Sequence, residues 1–228
     1  PMQGLALWLD ASNVDGNYNS SLSEGAAIVE WKNLGQNSKH LTQEDILRRP
    51  TLIENVINGK PALRFDGSAD YLENSQGLSI SNEASVFIVT NKSAYGGAYK
   101  KILSIRGSNG SHGLLLSEGP GGDNMYVYAA TTSSYVNIIT NESWKDSLLI
   151  SSRVGNNSID FDLNGKNIGV QEFNYQIQGA DIFKLGWAYG SEYWDGDIAE
   201  VIVFNRRISD QEKVMVNHYL SNKWNLTS

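Results

Sequence analysis

The 228-residue chain contains no cysteine. That absence removes disulfides, thiolate metal sites and cysteine nucleophiles together, and it leaves the compartment open. Also missing is any apolar stretch of about 18 residues, the length a membrane-spanning helix needs, so membrane insertion is not expected. No secretory leader is visible, and Pro1-Met2 reads as a remnant ahead of a domain that starts near Leu5. Long basic runs are absent as well. The 18 lysines and arginines are scattered, as in Arg48-Arg49 and Arg206-Arg207, against 25 acidic residues, giving a net charge of −7. A nucleic-acid partner held through its phosphates is therefore not expected, and the overall field opposes an acidic polysaccharide except through local contacts. No internal repeat, linker or low-complexity tract interrupts the chain, which predicts one domain over residues 1–228.

The stretch Trp194-Asp-Gly-Asp-Ile-Ala-Glu-Val-Ile-Val-Phe204 organises what is present. Ile198, Val201, Ile202 and Val203 mark a core strand. Strict alternation would place Ile198, Glu200, Ile202 and Phe204 on one face and Asp197, Ala199, Val201 and Val203 on the other. Both faces are apolar towards the C-terminal end, which predicts a central strand covered on both sides. Polar Asn205-Arg206-Arg207 leads out of it. Ser209 with Glu212 forms a capping box, and Val214, Val216, Tyr219, Leu220 and Trp224 give an amphipathic helix that should pack on the sandwich.

Further strands are expected at 5–10, 29–34, 51–56, 61–65, 84–90, 101–106, 113–117, 125–130, 136–140, 146–154, 158–163 and 183–187. Asn58-Gly59 and Asn164-Gly165 are hairpin turn signals. Short strands between polar turns, with one helix at the end, predict an all-β fold. The expected architecture is a two-sheet antiparallel jelly-roll β-sandwich with a short C-terminal α-helix.

The pattern W-x-G-x-I-A-E-V-I-V-x-N-R-x-I-S-x-x-E from Trp194 to Glu212 resembles the end of a laminin-G-like, concanavalin-A-like jelly-roll domain. Leu7-Trp-Leu-Asp-Ala-Ser12, Val29-Glu-Trp-Lys-Asn-Leu-Gly35, Arg49-Pro-Thr51, Asn58-Gly-Lys-Pro-Ala-Leu-Arg-Phe-Asp-Gly67 and Asp70-Tyr-Leu72 echo, in order, segments of the bacterial form of that family. The resemblance covers nearly the whole chain. It implies the fold, and a module of a larger extracellular, cell-surface or phage-tail protein. It says little about ligand, because such folds serve many functions.

Sugar rings present flat C–H faces, so carbohydrate sites pair aromatic planes with polar side chains. Tyr189, Tyr193 and Trp194, clustered with Trp187 round a glycine-containing loop, are the first candidates. The two tryptophans end strands, where packing the rim of the core is the commoner fate. Tyr95 and Tyr99, flanking Gly96-Gly97, form a second candidate platform. His112, Asp123 and Asn124 come third, as polar contacts to hydroxyls. Asp123 and Glu118 could also hold calcium, although the spacing of a D-x-D-x-D-G loop is missing and the Asp and Asn suit a turn equally well. His40 and His218 are isolated, and no metal spacing links the three histidines.

Catalytic patterns are not found. Jelly-roll hydrolases of the laminarinase type carry carboxylates at i, i+2 and i+4 on one strand. Here Asp195 and Asp197 are followed by Ala199, with Glu200 expected on the other face. The Gln-x-His and Tyr-x-Lys-x-Gly motifs of alginate-lyase-like jelly rolls are absent, as is G-x-S-x-G. The expectation is a non-catalytic carbohydrate-binding module with a neutral or weakly charged glycan or polysaccharide partner. A protein-binding adhesion or spacer domain that meets a surface protein is the first alternative, and a polysaccharide hydrolase or lyase the second.

Overall fold

A computed structural model describes residues 2–80, 82–92, 99–107, 112–119, 122, 124–130, 134–140, 147–174 and 182–226, with the backbone alone at residue 112. The strands are β1 (Leu5–Asp10), β2 (Glu30–Trp31), β3 (Leu41–Thr42), β4 (Thr51–Ile57) and β5 (Lys60–Asp66). After them come β6 (Leu72–Asn74), β7 (Ala84–Lys92), β8 (Lys101–Arg106), β9 (His112–Glu118) and β10 (Met125–Ala130). The series continues with β11 (Tyr135–Ile139), β12 (Leu148–Gly155), β13 (Ser158–Leu163), β14 (Lys166–Glu172), β15 (Ile182–Leu185) and β16 (Asp195–Phe204). One α-helix, α1 (Asp210–Trp224), follows.

They form two antiparallel sheets. The first runs β14-β13-β12-β7-β16-β5-β4, with β1 also paired to β16, and the second runs β11-β10-β9-β8-β15-β6-β3-β2. Between them lies the main core, where Leu63, Val86, Ile88, Phe161, Val201 and Val203 meet Leu72, Leu103, Leu116, Val127, Phe183 and Leu185. The outer face of the first sheet carries a second core, in which Phe87, Val89, Leu149, Ile202 and Phe204 pack under Val216, Leu220 and Trp224 of α1. β7 and β16 are buried on both faces, which is why Val86–Val89 and Val201–Phe204 run apolar instead of alternating.

β16 departs from strict alternation. Its register against β7 shifts between Ile198 and Glu200, so that Ala199 sits at a β-bulge. Ile198 then joins Val201 and Val203 in the main core, while Ala199, Ile202 and Phe204 face the helix. This corrects the expected grouping of Ile198 with Ile202 and Phe204: one extra residue reverses the faces on either side of it. The expected strand over 29–34 contracts to Glu30–Trp31, and β14, an exposed sheet edge with only Ile168 and Val170 as apolar side chains, was not expected as a strand.

Beyond the bulge, Glu200 lies on the helix side. Its fully buried carboxylate accepts from Trp8 Nε1 (2.8 Å), the Tyr219 hydroxyl (2.9 Å), Lys223 Nζ (2.7 Å) and Trp224 Nε1 (2.6 Å). The other end of α1 is held by charge. Arg153 pairs with Asp160 (2.6 Å) and Asp210 (2.7 Å) and donates to the Ile208 carbonyl. Ser209 and Glu212 complete the expected capping box.

Candidate functional site

The outer face of the second sheet holds a group of tyrosines drawn from four segments. Along β10, Met125, Val127 and Ala129 point into the core, which turns Tyr126 and Tyr128 outward. Their rings stack at 6.0 Å and 23°, and Tyr128 stacks on Tyr135 of β11 at 5.3 Å and 29°. Tyr99, immediately before β8, meets Tyr126 edge-on at 6.3 Å. Its φ of +64° is left-handed backbone, an unusual state for a bulky residue and one often found at functional positions.

The fourth segment is the loop from Gly186 to Trp194. A Cβ at Gly186 would collide with the Phe65 ring and lie 2.8 Å from the Asp70 carbonyl, and φ there is +83°, so only glycine permits this exit from β15. Trp194 N–H closes the loop on the Gly186 carbonyl at 2.9 Å. Side chains of β8 then fasten it over the sheet. Ser104 Oγ donates to the Trp187 carbonyl (3.3 Å), Arg106 Nη1 to the Ala188 carbonyl (2.9 Å), and Lys101 Nζ pairs with Glu192 (3.0 Å). The result seats Tyr189, 38% exposed, with Lys101 Nζ and the Arg106 guanidinium each 5.3 Å from its ring centre. Tyr99, Lys101, Leu115, Ser117, Tyr126, Tyr128 and Tyr189 line a depression of about 130 Å³.

Burial, aided by the neighbouring tyrosines, pushes the Tyr126 hydroxyl up to about 12, and burial likewise raises Tyr128 and Tyr189. These hydroxyls stay protonated and can donate. Burial lowers Lys101, with Glu192 opposing the shift, and burial lowers Arg106.

A second aromatic group lies beyond the loop. Trp187 and Tyr193 stack at 5.6 Å and 9°, Tyr71 tilts against Trp187 at 5.1 Å, and Lys184 Nζ sits 4.1 Å from the Trp187 ring centre.

The structure thus brings Tyr189 and Tyr99, expected on separate platforms, onto one face, and places Tyr193 in the neighbouring stack. Trp194 is a correction: wholly buried in the main core, it presents no surface to a ligand, because the loop closes above it. Tyr95, Asp123 and the side chain of His112 lie outside the described residues. Asn124 accepts from Gly119 N–H at 2.7 Å through its backbone carbonyl and serves the turn. Glu118 is fully buried and pairs with Lys92 Nζ at 2.7 Å, and the same ammonium donates to the Gly122 carbonyl. A lysine thus neutralises Glu118 where calcium was considered, and no cluster of three or more metal-ligating side chains occurs among the described residues. Tyr126, Tyr128, Tyr135, Lys101 and Arg106 were missed. Their signal was the alternation Met-Tyr-Val-Tyr-Ala, which sends both tyrosines of β10 to one face.

Of the carboxylates considered for catalysis, Asp195 and Asp197 line one depression together with Asp66, Asp70 and Arg64, and Glu200 lies apart. Asp197 takes a two-pronged contact from Arg64 (2.8 and 3.1 Å), Asp195 lies 4.0 Å from Lys100, and Glu200 is buried under the helix. Asp66 and Asp70 build the corner after β5. Burial first, then Asp66, pushes Asp70 up to about 7, whereas hydrogen bonds from Ser68, Ala69 and Asp70 overcome burial and hold Asp66 at about 2. Asp70 is raised in the folded state, so its contribution is complete below about pH 4 and is lost as pH rises through about 7. Asp66 acts only below about pH 4, where stability falls with acid. The Asp70→Asn variant is expected to lose the decline between about pH 4 and 7, read as the urea midpoint against pH. An unchanged slope would remove Asp70 as its source.

No protein family and no curated protein matches the chain in sequence. Its fold does match solved structures. Trypanosoma rangeli sialidase in complex with 2,3-difluoro-KDN superposes with a TM-score of 0.65 at 12% identity, over 98% of this chain and 33% of that one. The botulinum neurotoxin serotype D ligand-binding domain, in complex with N-acetylneuraminic acid, gives 0.61 at 11% identity, over 94% and 50%. The Ruminococcus gnavus IT-sialidase CBM40 bound to α2,3-sialyllactose gives 0.56 at 14% identity, over 68% and 95%. This chain therefore spans about a third of the sialidase and half of the toxin domain. At such identities the likeness shows the fold alone: a two-sheet β-sandwich.

Proposed function

We propose that this chain is a non-catalytic glycan-recognition module, of the laminin-G-like, concanavalin-A-like kind, carried by a larger extracellular, cell-surface or phage-tail protein. The observation that carries the reading is the tyrosine face of the second sheet. Four tyrosines surround the depression, burial raises the hydroxyl pKa values of Tyr126, Tyr128 and Tyr189, and a sugar laid there would meet ring faces and hydrogen-bond donors together. The depression is smaller than the roughly 300–1,000 Å³ of an enclosing ligand cleft, which suits one or two sugar residues resting on a surface. That two similarly folded domains were solved with sialic acid or a sialylated sugar supports a glycan as the ligand class.

Two features support binding without catalysis. The lining includes no carboxylate among the described residues, whereas glycoside hydrolysis generally uses a pair. A tyrosine nucleophile, the exception, would need its hydroxyl pKa lowered, and here the shifts run upward.

A glycan array probed with wild type, Tyr126→Ala/Tyr128→Ala and Tyr193→Ala tests this. A hit lost in the double variant and kept in Tyr193→Ala is expected. A hit lost only in Tyr193→Ala moves the site to the Trp187 stack, and silence across the array removes the glycan reading.

A further inference from the structure

The tyrosine face carries two cations, and they are held differently. Lys101 is neutralised by Glu192 at 3.0 Å. Arg106 is not. Its Nη1 is committed to the Ala188 carbonyl, its Nε is buried without a hydrogen-bond partner, and no carboxylate among the described residues forms an ion pair with it. Elsewhere Arg48, Arg64, Arg153, Arg206 and Arg207 each pair with an Asp or Glu, and Arg49, without one, spends its donors on the Gln43 and Glu44 carbonyls. An arginine without such a partner, in a chain of net charge −7, is conspicuous. The Ala188 bond and the Tyr189 ring, 5.3 Å from the guanidinium carbon, hold it beside the depression. Lined by Ser117, tyrosines and a lysine whose charge Glu192 offsets, with no acid among its described lining residues and Arg106 beside it, that depression favours an anion.

We propose that the ligand of this face is an acidic sugar, and that Arg106 receives its carboxylate. The inference rests on the glycan-binding reading and makes it narrower, replacing the neutral or weakly charged glycan expected from overall charge. Nη2 donates to no described group, and a guanidinium fork matches a carboxylate in shape and charge. Partial desolvation against Tyr189 strengthens such a pair, because water screens it less.

Matched ligand pairs test the inference on the intact chain. Isothermal titration compares sialyllactose with lactose, and oligogalacturonate with its carboxyl-reduced oligomer, at two salt concentrations. For wild type, at least one acidic member should bind about tenfold or more tightly than its neutral partner, with the advantage shrinking in salt. The pair showing it separates a sialic acid from a uronic acid. Arg106→Gln should bring the acidic member down to the level of the neutral one, and Arg106→Lys should recover part of the difference. Equal binding of acidic and neutral members by wild type overturns the inference while leaving glycan binding intact. An acidic preference that survives Arg106→Gln overturns the role of Arg106. Absence of binding to every sugar here and on the array overturns the glycan reading itself. The wild-type comparison needs no variant, so it decides even if Arg106→Gln melts early.

Discussion

Glu200→Ala is expected to lower the unfolding free energy by about 3–5 kcal/mol, the cost of breaking a buried ionic network from one side. Four donors converge on this carboxylate: two indole N–H groups, a phenol and an ammonium. Trp224 is wholly buried and cannot recruit water without opening the contact between α1 and the sheet, whereas Tyr219, 39% exposed, and the partly exposed Lys223 and Trp8 can turn to solvent. Removing the acceptor leaves the buried Trp224 indole unpaired, at roughly 1–3 kcal/mol, and the half-buried Trp8 indole short of its partner at a smaller cost. Lys223 keeps one partner, Asp10 at 2.6 Å, so its charge is not abandoned. Glu200→Gln retains an oxygen for one pair of donors but turns an amide N–H₂ towards the other, and should lie between the variant and wild type. Urea unfolding followed by tryptophan fluorescence reads the difference as a shift in midpoint at constant slope. A loss within about 0.5 kcal/mol would mean the network is not formed in solution. Glycan binding, on the other sheet, should be unchanged below the melting temperature.

The Tyr126→Ala/Tyr128→Ala double variant is expected to weaken glycan binding by about 100-fold, roughly 3 kcal/mol, since aromatic anchors at the centre of a site each contribute of the order of 2 kcal/mol. Both rings are half-buried and face outward, so their loss spares the core that Met125 and Val127 build from the same strand. The stability cost should accordingly be small and separable by a thermal melt. Single Tyr→Phe changes should cost less than the alanines, because they keep the stacking plane and remove only the hydroxyl. Affinity should also be flat between about pH 6 and 9, given that the Tyr126 hydroxyl titrates only at about 12. Binding that fell away over that range would mean another group on this face is titrating. Titration calorimetry against the strongest array ligand measures both effects. A double variant that binds like wild type would place the site elsewhere on the molecule.

Much of this architecture was legible in the amino-acid sequence, for a local reason. Period-two patterns, the turn pairs Asn58-Gly59 and Asn164-Gly165, and the Ser209–Glu212 capping box each depend on residues within one turn or one strand of each other. They sufficed for the sheets' main strands, the all-β class, the terminal helix and the double burial of β16. The carbohydrate-type aromatic surface was also anticipated at Tyr189 and Tyr99, though as two platforms.

What only the tertiary structure decided depends on distance along the chain. The bulge at Ala199, where β16 changes register against β7, turned Ile198 into the main core while Glu200 stayed with Ile202 and Phe204 under α1, where Trp8 and Trp224 reach it. Trp194 and Tyr189 are five residues apart in one loop, yet the first fills the core and the second faces solvent, because Gly186 and the β8 side chains set how that loop folds back. The tyrosine face gathers Tyr99, Tyr126, Tyr128, Tyr135 and Tyr189 from strands that become neighbours only through pairing across β8, β9, β10 and β11. Sequence alone determined which elements form. Pairing of strands remote in the chain decided which side chains meet, and with them the place of the candidate site.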